Sequence, residues 1–270
     1  MLLRGLIIPL FGIISMSVNP NQHDLLIGSL MGDGYMVVRS SKNTAAFRET
    51  HGPDQYGYLQ WKADLLEGYT NKIGDCTKRD GDRVFHSRRL YTKMCEDLRP
   101  YYDLFYPDGK RVFPENLPEL FSPFALAVWY LDDGSTMGKF HPRITFGLCE
   151  VSLERAVAAL KTLGLTPTVH VDKRGCSVSI QFPSQSEHFY NLIRPHVPTC
   201  MSYKVPVDSD RRLKDRNAKK LTCEKAKELH DGGMSYTDIA KMFGVGLTTA
   251  RRRVLAYGLP PKKMGRPARS

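Results

Sequence analysis

Two aspartates a hundred positions apart have the type and setting to do chemistry. Asp33 and Asp133 each follow a nearly unbroken apolar or small-residue run, LIGSLMGDG at Leu26–Gly34 and LAVWYLDDG at Leu126–Gly134. A helix with no polar face must be buried all round. Gly28 and Gly32 lie four apart on one face, which lets a second backbone come close although glycine costs helix stability. The natural partner is the second run, with Ala125 and Ala127 near its start. Packed side by side, the two helices would bring Asp33 and Asp133 together at their C-terminal ends. Each carboxylate would then face the negative end of a dipole and the charge of the other. A hard divalent cation between the oxygens relieves both, and Mg²⁺ takes one or two carboxylates plus water and phosphate. An Asp-Gly turn ending a buried helix is the plain alternative for either copy alone; two copies in one register weigh against it.

On these two motifs the chain resembles the single-chain, two-motif LAGLIDADG homing endonucleases over roughly residues 22–207. The resemblance implies an α+β, pseudo-two-fold LAGLIDADG homing endonuclease fold. Its two αββαββα-type halves pair their central helices and form DNA-facing sheets, a saddle over the major groove. It also implies that the last acid of each motif, Asp33 and Asp133, binds two or three shared divalent ions, Mg²⁺ by expectation. Gly32 and Asp132 stand one position earlier and enter the metal shell by place; no ligand role from the family's motif carries onto Asp132.

The elements around the motifs repeat. YMVVRS (Tyr35–Ser40) and TAAFRET (Thr44–Thr50) read as a hairpin, and Asp54–Tyr69 carries helical periodicity through Tyr58, Leu59, Leu65 and Leu66. A second hairpin is expected across Cys76–Ser87 with its turn at Asp80-Gly81, then a helix from about Arg89 to Phe105. After the second motif come a strand at Ile144–Leu148, a helix at Leu153–Leu163, extended pieces at Thr168–Val171 and Cys176–Phe182, and a helix at Glu187–Pro195.

Each half closes on a basic residue before a proline, Gly109-Lys110-Arg111-Val112-Phe113-Pro114 and Ser202-Tyr203-Lys204-Val205-Pro206. In the family such a residue reaches the active site, which implies that role for Lys204 and, in the first half, for Lys110 or Arg111. A cation beside a scissile phosphate stabilises developing charge or polarises the attacking water. The family's metal shell also uses a polar residue at the end of the second strand, implied here at Gln181 and, in the first half, at Arg48 with Glu49 beside it. An arginine cannot bind a metal, so unequal half-sites are expected. Arg39, Arg48, Lys139 and Arg143 are the expected DNA contacts of the sheets. The eight histidines show no ligand spacing, and His51 reads as a residue near a helix start.

The net charge is +11, which suits a polyanionic partner. From Val207 to Ser270, 16 Lys/Arg stand against 7 Asp/Glu. Within that tail Lys219–Gly258 reads as three helices, Leu221–Leu229, Tyr236–Phe243 and Leu247–Tyr257. SYTDIAKMFGVGLTTARRRV has the helix-turn-helix pattern and resembles the resolvase type. That docking would point Leu247, Thr248, Thr249 and Arg251 into the major groove, with Arg252 and Arg253 on phosphate or base edges. A helical bundle for protein contacts is the alternative. Pro260–Ser270 is too polar to fold alone. The six cysteines form no Cys-x-x-Cys pair, so neither a zinc site nor a disulfide framework follows.

The expected organisation is an N-terminal extension at 1–20, halves at 21–118 and 119–207, a linker at 208–218, a helix-turn-helix at 219–258 and a basic tail at 259–270. The apolar stretch Gly5–Ile14 is short for a membrane span and nearer a signal-peptide core. Translation from Met16 is the preferred reading, with a packed arm or a targeting sequence as alternatives. The expected function is a monomeric, Mg²⁺-dependent, site-specific double-strand DNA endonuclease, cytoplasmic or organellar, without membrane association or secretion. An RNA-splicing maturase, with intron RNA as partner, and a DNA-binding regulator without cleavage are the rivals.

Overall fold

The computed structural model describes residues 17–39, 42–137, 140–147, 150–172, 175–181, 183–206 and 220–257. The chain divides into two compact units, Met1–Val205 and Pro206–Ser270. The apolar N-terminal stretch, the linker, the basic tail and Lys139 lie outside the described residues. No described helix is long and apolar enough to cross a membrane.

The larger unit is α+β and repeats one plan. The first half runs α1 (Pro20–Met31), β1 (Tyr35–Arg39), β2 (Thr44–His51), α2 (Tyr56–Leu65), β3 (Thr70–Asp80), β4 (Arg83–Thr92) and α3 (Arg99–Phe105). A short α4 (Leu117–Leu120) leads into the second: α5 (Pro123–Asp133), β5 (Gly134–Met137), β6 (His141–Phe146), α6 (Glu150–Thr162), β7 (Thr168–Asp172), β8 (Gly175–Ser179) and α7 (Pro183–Ile193). Each half has one four-stranded antiparallel sheet, ordered β1-β2-β4-β3 and β5-β6-β8-β7.

Local sequence sets the starts of both motif helices. Asn19 caps α1 through the Gln22 amide, with Pro20 next, and Ser122 caps α5 through the Ala125 amide, with Pro123 next. An oxygen-bearing cap followed by proline satisfies an orphan donor and presets φ. The Ser122 hydroxyl also donates to Asp24 Oδ2 (2.6 Å), joining the two starts.

Along their length the helices touch backbone to backbone. A Cβ on Gly28 would stand 2.5 Å from the Ala125 carbonyl oxygen and 2.7 Å from Val128 Cβ. The core spreads from this seam into both halves, through Phe47, Leu59 and Leu90 on one side and Ile144, Phe146 and Val178 on the other.

Three sequence expectations need correction. Arg89–Thr92 is strand, not the start of a helix: Leu90 is buried opposite Ile73 and Glu49, and the helix begins only at Arg99, where Pro100 can occupy a first-turn position. The second half also has a strand that was not expected, β5, so its second strand is β6, and Gln181 follows the fourth, β8. The β3–β4 hairpin is longer than expected, with ten residues paired from Thr70 to Asp80.

The smaller unit contains α8 (Cys223–Asp231), α9 (Tyr236–Met242) and α10 (Leu247–Leu255). Thr222 and Ser235 cap the first two. Leu221, Ala226, Ile239, Ala240, Ala250 and Val254 form their own small core.

Candidate active site at the ends of the motif helices

The two motif acids occupy different backbone settings. Helix α1 stops at Met31 and leaves Asp33 exposed in the following turn, whereas Asp133 is the last residue of α5 and half-buried. Burial, then the charges of Asp33 and Asp132, push the Asp133 carboxyl up to about 7. Three carboxylates therefore converge where the helix dipoles are negative, and this crowding is the electrostatic demand that a cation would meet.

Two protein cations sit at this end in matching roles. Arg111 Nη1 donates to the carbonyls of Gly32 and Gly34, both at 2.9 Å. Lys204, at the end of a 3₁₀ turn (Thr199–Lys204), donates through Nζ to the carbonyls of Leu131 (2.5 Å) and Asp132 (3.2 Å). Each satisfies the open carbonyls at the end of one motif helix. Burial lowers the Lys204 ammonium pKa against the pull of Asp132, Asp33 and Asp133. Lys110, the alternative to Arg111, is exposed.

Beneath Asp33 lies a buried polar cluster that sequence reasoning missed. Lys62 of α2 is fully buried and donates to Ser29 Oγ (2.8 Å), Glu49 Oε1 (2.6 Å) and both Asp132 carboxylate oxygens (2.8 and 3.0 Å). Tyr58 donates to Asp132 Oδ1 (2.8 Å), and His51 Nε2 contacts Glu49 Oε1. Burial opposes the Lys62 charge, but Asp132 and Glu49 outweigh it and raise its pKa; the Glu49 bond does the same for His51. Burial and the Glu49 charge lift Asp132 to about 7. The signal was present in the spacing: Lys62 follows Tyr58 by four and Leu59 by three, on the buried helical face. Likewise Glu49 and His51 share the inward alternation of Ala45 and Phe47 on β2.

Among the described residues, Asp33, His51 and Asp132 each offer a ligand atom within 4.8 Å of the others. Asp132 is occupied by Lys62, Tyr58 and the Asp33 amide, and His51 by Glu49 and Gln55. Asp33 and Asp133 are the carboxylates left to face solvent, hard oxygen donors of the kind Mg²⁺ or Ca²⁺ prefers. Gly32 offers only its backbone, and its carbonyl is taken by Arg111.

The other expected residues lie away from this point. The exposed Gln181 meets His170 Nε2 and Ser179 Oγ, both at 3.2 Å. Arg48 points to the sheet's outer face, 5.4 Å over the Tyr91 ring, while its neighbour Glu49 points inward. Arg39 is exposed at the end of β1, and Arg143 on β6 donates to Ser177 Oγ. In the smaller unit Thr248, Arg251 and Arg252 are exposed on α10, and Thr249 and Arg253 partly so.

The LAGLIDADG DNA endonuclease family profile matches residues 23–189. Among curated proteins, the chain is 34% identical over 204 residues to Protein RecA of Mycobacterium shimoidei, covering 70% of this chain and 47% of that one. It is 29% identical over 215 residues to DNA endonuclease I-ChuI of Chlamydomonas applanata, covering 70% of this chain and 96% of that one. The chain spans about half the length of the first curated relatives it matches, all named Protein RecA. Its fold is similar to the homing endonuclease I-WcaI bound to its DNA recognition sequence, with a TM-score of 0.64, 18% identity, and coverage of 72% of this chain and 89% of that one.

Proposed function

Because the chain belongs to the LAGLIDADG DNA endonuclease family, we propose that it is a site-specific double-strand DNA endonuclease, acting as a monomer with divalent metal, Mg²⁺ by expectation. The observation that carries this reading is the pairing of Asp33 and Asp133 at one end of two packed helices, each helix end capped by its own cation, Arg111 or Lys204.

Asp33 and Asp133 would hold the metal. Bound there, a divalent cation supplies Lewis-acid stabilisation of the phosphate and a more acidic water. The protein's own groups do the rest. Arg111 and Lys204 place positive charge at the helix ends, where charge develops on the phosphate. The Lys204 ammonium, with its lowered pKa, can also give or take a proton through water more readily than an exposed lysine.

Affinity would come from the outer sheet faces. Lys72, Lys78 and Arg83 are exposed on the face of β3–β4 that carries Tyr91, and Arg39 on β1; cations in such rows neutralise phosphates and release counterions. Residues 219–258 would add a helix-turn-helix, with Thr248, Arg251 and Arg252 facing the groove. The test is selection of cleaved molecules from a randomised duplex library with Mg²⁺. The reading expects one discrete site cut on both strands, and binding without any cut would contradict it.

A further inference from the structure

Among the described residues, the buried cluster under Asp33 has no counterpart in the other half. By motif register, Ser29 and Asp132 of the cluster correspond to Trp129 and Gly32. Ile144 pairs with Gly134, where extending the Tyr35–Arg48 register sets Glu49 opposite Gly34. One half therefore closes around its motif helix with charges, and the other with Trp129 packed against Phe113, Phe121 and Phe146.

A buried ion pair adds little net stability over apolar packing of the same shape. Its consequence here is geometric. Lys62 directs its N–H groups to three separate elements, α1, β2 and α5, and so fixes the Asp132 carboxylate. That carboxylate accepts the backbone N–H of Asp33 at 3.3 Å, across the seam between the halves. Both ends bond back to their own helix, Gly34 to the Ser29 carbonyl (2.8 Å) and Gly134 to the Tyr130 carbonyl. What differs is that Asp133 is the last residue of α5, whereas Asp33 lies beyond α1 and its own amide turns to Asp132.

We propose that Lys62 and Asp132 are positioning residues: Lys62 fixes Asp132, and Asp132, from the second half, holds the turn that places the first motif's acid. Placement of Asp33 then depends on a side chain of the opposite half, while placement of Asp133 does not.

Amide hydrogen exchange reads this without any cleavage. In Asp132→Ala and in Lys62→Met, the Asp33 amide should exchange roughly five- to tenfold faster, the loss of about one hydrogen bond, while Gly134 keeps its rate. Asp132→Asn retains an acceptor oxygen and should retain most of the Asp33 protection. It also guards against a variant that fails to fold. Unchanged exchange at Asp33, or equal acceleration at Asp33 and Gly134, would overturn the proposal. A second readout rests on the endonuclease reading: strand-resolved nicking in Asp132→Ala should slow one strand about tenfold more than the other, and equal slowing of both would count against positioning. A wild-type protein that cuts nothing would sink the endonuclease reading alone, because the exchange result stands apart from it.

Discussion

Asp132 fills the space that Gly32 leaves open: a Cβ on Gly32 would lie 2.5 Å from Asp132 Cβ and 2.6 Å from its Oδ2. One motif has glycine where the other has a buried carboxylate, so the seam has room for one side chain at this level. Gly32→Ala should therefore lower stability by about 1–3 kcal/mol through overpacking. A shifted midpoint in denaturant unfolding would show it, and an unchanged midpoint would mean that the helices are not this close.

A second prediction follows from Asp133. Its carboxyl stands at about 7 in the folded protein against an ordinary 3.8, so between these values the folded state holds a proton the unfolded chain has released. The stabilising effect of that proton is complete below about pH 4 and is lost as pH rises through about 7. Without divalent metal, Asp133→Asn should melt about 2–4 °C higher than wild type above pH 7, and at the same temperature near pH 4, if roughly 1 kcal/mol is relieved. Added Mg²⁺ should favour the wild type instead. Equal melting at both pH values would contradict the crowding of carboxylates at this site.

Much of this was legible in the sequence, for identifiable reasons. The motif helices announce themselves through continuous apolar runs, a period-independent signal, and Gly28 with Gly32 announces their close approach. Lys204 and the Lys110-Arg111 pair stand out as a repeated basic-residue-before-proline pattern, which does not choose between Lys110 and Arg111. Lys62 was hidden because a lysine on an amphipathic helix is normally solvated; only the packing of α2 against α1, β2 and α5 supplies its acceptors, Ser29, Glu49 and Asp132. Gln181 follows the fourth strand, not the second; β5, GSTM, is too short and polar to declare itself as a strand, and that accounts for one of the two places. Arg89–Thr92 misled through a helix pattern that the sheet overrode.

Lys204→Met and Arg111→Met should each slow cleavage by about 10²-fold, the cost typical of losing one charge-stabilising donor, with little change in binding measured in Ca²⁺. Lys204→Arg should recover part of the rate. Binding lost in step with cleavage would make these residues structural caps only.

Replacing Arg251, Arg252 and Arg253 together with alanine should leave cleavage chemistry intact and weaken DNA binding. Each lost phosphate contact lowers the slope of log affinity against log salt by about 0.9. Footprint protection should shrink on one side of the cut site only. A full footprint with the original slope would assign residues 219–258 to protein contacts.

The most direct test is plasmid cleavage by Asp33→Asn and Asp133→Asn beside duplex binding in Ca²⁺. Both variants keep the shape of the helix ends and lose a hard oxygen donor, so double-strand cleavage should disappear while affinity stays within several-fold. Double-strand cutting retained by either variant would remove that aspartate from the active site and contradict the pairing on which this account rests.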